Sequence, residues 1–425
     1  MEPFARYDTF LLPEPRRVVL RPFHIASEPR DLHPLQTGRM ERIVRGVAEL
    51  SHEECDRLLQ DVAQDFGNRH RFTEKIFKKR FEEIARAVHA ADALTGPQQS
   101  LAGAFFCHEY SFAAAAVMNP SIVPHPNQKD LPADSVRFVL SVRTVGEGHI
   151  SSISFREGEL SGDHKLTVYS HPDQTFAVDS EEIRPSEVVV ARRPDGAPIS
   201  GTVIFPFTPA QRNGLEDLRL VAFDDGGRTS YHGTYTAYSG RDIRSELLTT
   251  ADFNTFNLSP MSGVAALNKG MALFPRRIHG AYAMIGRQDG ESLYFLQSEN
   301  LLHWEQGARI AEPLFPWELI QIGNCGSPIE LDEGWLLLTH GVGAMRKYSI
   351  GAMLLDKQSP QRVLARAPNP ILSPSLNERD GYVPNVVYTC GAMRHRDRLF
   401  MPYGVADSSV AFASIELKYL LEQLK

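Results

Sequence analysis

The chain has 425 residues, of which 42% are hydrophobic, and a formal net charge of −7 at pH 7. This length allows one large domain built from repeats or two ordinary domains. The acidic balance argues against nucleic acid as a partner, because binding to phosphate backbones normally requires a basic face. The N-terminus lacks the pattern of a signal peptide, and no stretch approaches the roughly 18 apolar residues of a membrane helix. We therefore expect a soluble, cytoplasmic protein with no membrane partner.

The four cysteines lie far apart and form no Cys-x-x-Cys pair. This spacing favours buried free thiols over a zinc ribbon or a disulfide framework. The histidines do not have the spacing of metal ligands, so we expect no metal site.

Residues from about 37 to 117 are predicted to be helical, because their apolar side chains recur at helical spacing, as in Phe77-Phe81-Ile84-Val88. Ser51 and Glu54 have the form of a capping box, which would begin one of the helices. Residues 98–118, rich in Ala and Phe, predict a buried helix that leads into the second half. We expect residues 1–117 to form an N-terminal helical region.

After Asn119 the pattern changes to short β-branched and aromatic runs, such as residues 136–142, separated by turn residues. Five polar or Pro-marked strand openings recur, and from the second onward they are spaced by about 53 to 58 residues. That spacing is close to the length of a four-stranded propeller blade. The openings are residues 119–121, 216–219, 273–275, 326–328 and 383–385.

The prediction is a mainly β fold, with a five-bladed β-propeller at residues 118–425 following the helical region. The first interval is longer than the others and contains the polar stretch 161–209, which we interpret as an insertion over one face of the propeller. A β-sandwich followed by a separate sheet is the alternative architecture.

Polar residues at or near the strand openings would converge if the innermost strands surrounded a central channel. They are Asn119, Arg143, Glu216, Asp217, Arg219, Lys269, Arg287, Gln321, His340, Tyr348, Asn385 and Asp407. A carboxylic acid surrounded by basic groups suits cleavage of a glycosidic bond, in which the acid protonates the leaving oxygen while an anion or water attacks the anomeric carbon.

The many basic residues favour phosphate as the attacking group. Inverting hydrolysis normally needs a second carboxylate to activate water, whereas phosphate is already a nucleophile and needs only cations to hold it. Taken singly, the same residues also fit structural roles. Asp217 with Arg219 could be an ion pair, His340 a hydrogen-bonded turn histidine and Lys269 a surface charge.

Several stretches resemble, in the same order, motifs of glycoside hydrolase family 130, which comprises inverting mannoside phosphorylases and related β-mannosidases. Gly-Leu-Glu-Asp-Leu-Arg at 214–219 resembles the family's Gly-Val-Glu-Asp-Pro-Arg, with Leu218 in place of Pro. The other matching stretches are residues 272–275, 334–342, 348–356, 381–387 and 403–407. The resemblance runs from about Asn119 to the C-terminus and implies a five-bladed propeller.

The resemblance also implies a role for each matched residue. Asp217 matches the acid that protonates the glycosidic oxygen, directly or through a substrate hydroxyl. The positions that hold the mannosyl ring are matched by Asn119, Arg143 and Asp407, and those that line the phosphate side by Lys269, Arg287, His340 and Tyr348. We group Glu216, Arg219 and Asn385 with the substrate-binding residues. No cofactor is expected beyond inorganic phosphate as co-substrate.

Gln321 departs from the family pattern, because many phosphorylases have Lys before Ile-Gly-Ala-Gly where this chain has Gln before Ile-Gly-Asn-Cys-Gly. Loss of a cation weakens an anion site, and loss of basic phosphate ligands distinguishes the family's hydrolases from its phosphorylases. The leading hypothesis is phosphorolysis of a β-mannoside to α-mannose 1-phosphate. The alternative is an inverting β-mannosidase with Glu216 or Glu147 activating water, and a third is a non-catalytic sugar-binding propeller. A homo-oligomer is compatible with the helical appendage, and the linkage, β-1,2 or β-1,4, is left open.

Overall fold

The structure is a computed structural model that describes residues 2–25 and 38–425. Met1 and residues 26–37, which include the first residue of the predicted helical stretch, lie outside the described residues. The N-terminal part contains β1 (Phe4–Leu11), β2 (Val18–Pro22), α1 (Arg39–Ala48), α2 (His52–Phe66), α3 (Thr73–Ala85), α4 (Pro97–Phe105) and β3 (Cys107–Ser111).

The regular elements of the remainder are strands, apart from short 3₁₀ helices and the helix α5. The next group is β4 (Ala116–Pro124), β5 (Val136–Val145), β6 (Ser151–Leu160), β7 (Leu166–Val168), β8 (Phe176–Ala177), β9 (Asp179–Ile183), β10 (Val189–Arg192) and β11 (Thr202–Ile204). Then follow β12 (Gly214–Asp224), β13 (Thr229–Tyr238), β14 (Ile243–Thr250), β15 (Thr255–Pro260), β16 (Ala272–Leu273), β17 (Tyr282–Gly286), β18 (Leu293–Ser298) and β19 (Ala308–Ala311). The last are β20 (Gln321–Asn324), β21 (Ile329–Glu330), β22 (Trp335–Val342), β23 (Tyr348–Leu355), β24 (Val363–Arg366), β25 (Val387–Tyr388), β26 (Met393–His395), β27 (Arg398–Val405), β28 (Ser409–Glu416) and the helix α5 (Leu417–Glu422).

The chain forms two compact units. The helical unit comprises Arg16–Ser111 and Asp173–Thr175, and the β-rich unit comprises Met1–Pro15, Phe112–Pro172 and Phe176–Lys425. None of the helices in the described ranges is long and apolar enough to cross a membrane.

The helical unit packs α1 to α4 around one apolar core and also contains the antiparallel pair of β2 and β3. The predicted capping box at the start of α2 is confirmed, since Ser51 Oγ accepts from the backbone N–H of Glu54 at 3.2 Å and the Glu54 carboxylate accepts from the Ser51 N–H at 2.8 Å. The predicted helix over residues 98–118 is wrong beyond α4. Residues 107–111 form β3 instead, because β2, almost ninety residues earlier in the chain, supplies the hydrogen-bonding partner.

All four cysteines are free thiols. The prediction that they are buried is confirmed for Cys55, Cys325 and Cys390, whereas Cys107 is only partly buried.

The β-rich unit is mainly β, and its strands form antiparallel groups that follow one another along the chain. A single parallel pair, Ser151 with Gly214, joins the β4–β5–β6 group to the β12–β13–β14–β15 group. The third group is β16–β17–β18–β19, and the fourth is β20–β22–β23–β24 with β21 beside β22. The last group is β25–β27–β28 with β26 beside β27, and β1 from the N-terminus completes it by pairing with β28.

Segments from all five groups line a common cavity of about 370 Å³. Its walls come from residues 122–124, 220–222, 275–276, 327–330 and 391–394. Each range overlaps or follows one of the five strand openings that the sequence analysis identified. The segments that follow the openings are therefore close in space although they are far apart in sequence.

The third and fourth strand groups share an apolar core that contains Trp335. Its ring is fully buried, packs edge-on to Phe274 at 5.0 Å between centroids and lies under the guanidinium of Arg276. We expect Trp335→Ala to lower the free energy of unfolding by about 3–5 kcal/mol, measured by denaturant titration, because it leaves a large cavity. Leu376→Ala is the control, since that side chain is 78% exposed and should change stability by less than about 0.5 kcal/mol.

Candidate active site

The first strands of two successive groups, β4 and β12, each contain a β-bulge, and polar side chains of the two bulges meet. The register of β4 against β5 shifts around Asn119, and the register of β12 against β13 shifts around Asp217. Both residues have left-handed backbone, with φ of 50° and 56°. The Nδ2 of Asn119 donates to Oδ1 of Asp217 at 2.6 Å. The bulges therefore bring together two polar residues from different strand groups.

Left-handed backbone recurs at other residues of the predicted site. Asn385 has φ of 63° and Asp407 has φ of 49°. Non-glycine residues adopt this region rarely, and such strain concentrates at functional sites. Four of the predicted site residues, Asn119 and Asp217 included, thus share an unusual backbone that the surrounding structure must hold in place.

Arg143, on β5, binds both carboxylates of the β12 bulge. Its Nη2 donates to Glu216 Oε1 at 2.6 Å and its Nη1 to Asp217 Oδ1 at 3.2 Å. The Nε donates to the hydroxyl of Ser151 at 2.8 Å, which fixes the plane of the guanidinium. The planar fork of an arginine suits this geometry, and a lysine could not reproduce it.

The charge around Asp217 favours its ionised form. Burial alone would favour the protonated carboxyl. The charges of Arg143, Arg219 and Lys269 outweigh burial and hold the pKa of the Asp217 carboxyl below its ordinary value, and the bond from Asn119 acts in the same direction. Without ligand, Asp217 is therefore a carboxylate at neutral pH.

The pKa values of the two neighbouring carboxyl groups, Glu216 and Asp407, are raised instead of lowered. Burial raises the pKa of Glu216, with the charge of Arg143 opposing and that of Asp217 adding to the shift. Burial and the charge of Asp217 raise the pKa of Asp407 to about 6. The site thus contains three carboxyl groups whose environments push their pKa values apart, an arrangement typical of acid–base chemistry.

Arg219, predicted to bind substrate, is only 2% exposed and bonds to the protein itself. Its Nη1 donates to the backbone oxygen of Asp217 at 3.0 Å, its Nη2 to the hydroxyl of Tyr388 at 2.8 Å and its Nε to the backbone oxygen of Cys325 at 3.2 Å. The guanidinium therefore ties the Asp217 bulge to two other strand groups. Sequence reasoning missed Tyr388, although it directly follows the matched stretch 381–387.

A second cluster contains the predicted phosphate-side residues. Nη1 of Arg287 lies 3.1 Å from Nε2 of His340. Burial and the charge of Arg287 hold the pKa of His340 well below its ordinary value, so the imidazole is neutral and accepts this hydrogen bond. The His340 ring lies 6.0 Å from the ring of Tyr348 and 4.8 Å from the ring of Tyr388 between centroids. Tyr388 thus links the Arg219 group to the His340 group.

Gly323 allows Arg287 and His340 to approach each other. A Cβ at this position would lie 2.4 Å from Cε1 of His340 and 2.6 Å from Cδ of Arg287, closer than atoms can pack. Only glycine fits here without displacing both side chains.

The remaining predicted residues are near these two clusters. Lys269 is half-buried, and its charge acts on both Asp217 and Glu216. The backbone oxygen of Asn385 accepts from the N–H of Tyr348 at 3.0 Å. Gln321, the residue that departs from the family pattern, begins β20 and is half-buried. Because its side chain is a neutral amide, this position adds no charge.

The arrangement combines a buried carboxyl group with a nearby set of cations, as acid-assisted attack by an anion requires. Among residues 2–25 and 38–425, no three His, Cys, Asp or Glu side chains are placed to hold a metal ion.

Comparisons of the sequence with known proteins indicate one family. Residues 151–425 match the sequence model of glycoside hydrolase family 130, described as beta-1,4-mannooligosaccharide phosphorylase. A 1,2-beta-oligomannan phosphorylase from Thermoanaerobacter sp. (strain X514) is 34% identical over 218 residues, which cover 50% of this chain and 71% of that protein. A beta-1,2-mannobiose phosphorylase from Listeria innocua is 32% identical over 255 residues, covering 56% of this chain and 69% of that protein.

The fold is also similar to a solved structure. The beta-1,2-mannobiose phosphorylase of Listeria innocua, in complex with beta-1,2-mannobiose, aligns with a TM-score of 0.53 at 22% identity, covering 73% of this chain and 92% of that one. The predicted family is confirmed, and its match covers most of the β-rich unit, including Asp217 and every predicted site residue after it. The chain belongs to glycoside hydrolase family 130.

Proposed function

We propose that the β-rich unit is a five-bladed β-propeller and the catalytic domain, beginning near residue 118 with β1 added to its last blade. Five antiparallel strand groups support this architecture. So does the cavity lined by segments from all five groups, because propeller blades surround a central channel. Pairing of β1 with β28 would close the ring between the two ends of the chain.

We propose that the protein catalyses inverting phosphorolysis of a β-linked manno-oligosaccharide, which yields α-mannose 1-phosphate and a sugar shortened by one mannose. The observation that carries this proposal is the state of Arg287. The residue is 8% exposed, its Nε has no hydrogen-bond partner within the described part of the chain, and its Nη1 donates a hydrogen bond to a neutral histidine. A buried cation with so little compensation is costly, and a phosphate dianion would supply the missing partner.

In this reaction the cleaved bond joins the anomeric carbon to the leaving oxygen. Asp217 gives its proton to that oxygen, directly or through a substrate hydroxyl. A phosphate oxygen attacks the anomeric carbon from the opposite face, so the configuration inverts from β to α. We assign the phosphate to Lys269, Arg287, His340 and Tyr348, and the mannosyl ring to Asn119, Arg143, Glu216, Asn385 and Asp407. Arg219 holds the Asp217 bulge in place.

The decisive experiment is incubation with β-1,2- and β-1,4-mannobiose, with and without inorganic phosphate. The relatives compared above are named for β-1,2-linked substrates, so β-1,2-mannobiose is the first to test. We expect α-mannose 1-phosphate and mannose to form together and only when phosphate is present. Phosphorus and proton NMR identify the product and its anomeric configuration.

Two results would contradict phosphorolysis. Mannose release at the same rate with and without phosphate would indicate a β-mannosidase, with water activated by Glu216 or Glu147. Binding of mannobiose in calorimetry, with no turnover of either isomer, would indicate a sugar-binding protein without catalytic activity.

A further inference from the structure

Two surface loops of the β-rich unit are joined by a histidine–tyrosine contact that the roles above do not use. The Nδ1 of His149 and the hydroxyl of Tyr382 are 2.7 Å apart, and the ring centroids are separated by 5.9 Å. Tyr382 is 46% exposed, and His149 is exposed as well. The contact therefore stabilises no buried core, and a structural role explains it poorly.

On one side, the contact begins in the turn between β5 and β6. Arg143 lies at the end of β5, and Ser151, which accepts from its Nε at 2.8 Å, begins β6. Gly148 and His149 both have left-handed backbone within this turn, with φ of 68° and 59°. The histidine is thus held in a strained turn directly beside the Arg143 group.

On the other side, Tyr382 is fixed to the turn that carries Asp407. Its backbone N–H donates to the hydroxyl of Ser408 at 2.6 Å. The next N–H, of Val383, donates to the backbone oxygen of Ala406 at 2.9 Å. These two bonds, to the residues on either side of Asp407, fix the backbone of Tyr382 to the turn that carries that carboxyl group.

The contact consequently joins the turn that follows the strand of Arg143 to the segment bound to the turn of Asp407, and the proposed function assigns both of these residues to the mannosyl ring. We propose that His149 and Tyr382 form a specificity clasp, in which the exposed ring of Tyr382 packs on the mannosyl unit of the β-mannoside and His149 holds the ring in position. This proposal rests on the assigned mannosyl subsite. A tyrosine suits the task because its flat apolar face fits the C–H face of a sugar, and its two rotatable bonds lose little entropy on binding.

The test measures sugar affinity separately from turnover. Mannobiose binding is followed by calorimetry in a protein that carries Asp217→Asn, with clasp substitutions added. We expect Tyr382→Ala to weaken binding roughly ten-fold, and Tyr382→Phe or His149→Ala to weaken it roughly three-fold, since each of the latter removes only the contact that positions the ring. His149→Gln keeps a group that can bond to the hydroxyl and should restore most of the affinity.

Two controls distinguish a clasp from general damage. Tyr419→Ala removes another partly exposed tyrosine, on α5, and should leave mannobiose binding unchanged. In the active enzyme, the clasp variants should raise KM for mannobiose while KM for phosphate stays within about two-fold. Unchanged mannobiose affinity in both Tyr382→Ala and His149→Ala would overturn the proposal, as would an equal loss of phosphate affinity. The proposal and the proposed function can also fail separately. If the wild-type protein cleaves mannobiose without phosphate and the clasp variants still lose affinity for mannobiose, phosphorolysis is rejected and the clasp is supported.

Discussion

Replacing Asp217 with Asn is expected to reduce phosphorolysis of mannobiose by roughly 10²–10⁴-fold, the usual contribution of a general acid. Asparagine has nearly the same shape as aspartate but has no acidic proton to give to the leaving oxygen. Initial rates of mannose 1-phosphate formation measure the effect. Unfolding of the variant should remain cooperative, because the left-handed backbone at this position also tolerates Asn.

A substrate with an acidic leaving group separates loss of the acid from damage to binding. A 2,4-dinitrophenyl β-mannoside needs no protonation to depart, so the Asp217→Asn protein should cleave it with phosphate far faster, relative to wild type, than it cleaves mannobiose. Glu216→Gln is the matched comparison from the same bulge. It should impair both substrates to a similar degree, since we assign Glu216 to binding. Turnover of mannobiose by Asp217→Asn within ten-fold of wild type would remove Asp217 from the role of acid.

The sequence allowed Asp217 to be predicted because its information is local. A short stretch, Gly-Leu-Glu-Asp-Leu-Arg, carries the proposed acid and two nearby charged residues. The regular spacing of the strand openings likewise predicts that distant parts of the chain meet, and segments that follow the five openings do line one cavity. Composition, periodicity and motif order were thus sufficient for the mainly β class and the family.

Other features depend on partners far away in the chain, and no local pattern encodes them. The bond from Asn119 to Asp217 depends on bulges in two strand groups, and β1 pairs with a strand at the other end of the chain. Residues 107–111 have helix-compatible neighbours but form a strand because β2 lies beside them. Arg219 was grouped with substrate ligands because charged residues at an opening look alike in sequence, whereas its burial and its three protein bonds are apparent only in the fold.

The lowered pKa of Asp217 raises a chemical question, because the proposed acid is ionised at neutral pH. Arg143, Arg219 and Lys269 hold the pKa of Asp217 below its ordinary value. A bound phosphate dianion would offset part of this positive charge, and the pKa of Asp217 would rise toward the range where it can act as an acid. Phosphate would then supply the nucleophile and also favour protonation of the acid, which couples the two halves of the reaction.

Lys269→Met is expected to raise KM for phosphate roughly 10- to 100-fold, because it removes one charge-assisted contact to the dianion. The same substitution should move the pH profile. Lys269 lowers the pKa of Asp217, so its removal raises that pKa. Activity requires the protonated acid and falls as pH rises through its pKa, so the basic limb of kcat/KM for mannobiose should shift to higher pH.

Arg287→Gln is the matched control, because Arg287 contacts His340 and is not among the main charges that act on Asp217. It should raise KM for phosphate by a similar factor and leave the basic limb where it is in the wild type. The two variants together separate phosphate binding from tuning of the acid. If the limb stays fixed in Lys269→Met, or moves equally in both variants, Lys269 does not set the pKa of Asp217, and the coupling between phosphate and proton transfer must have another source.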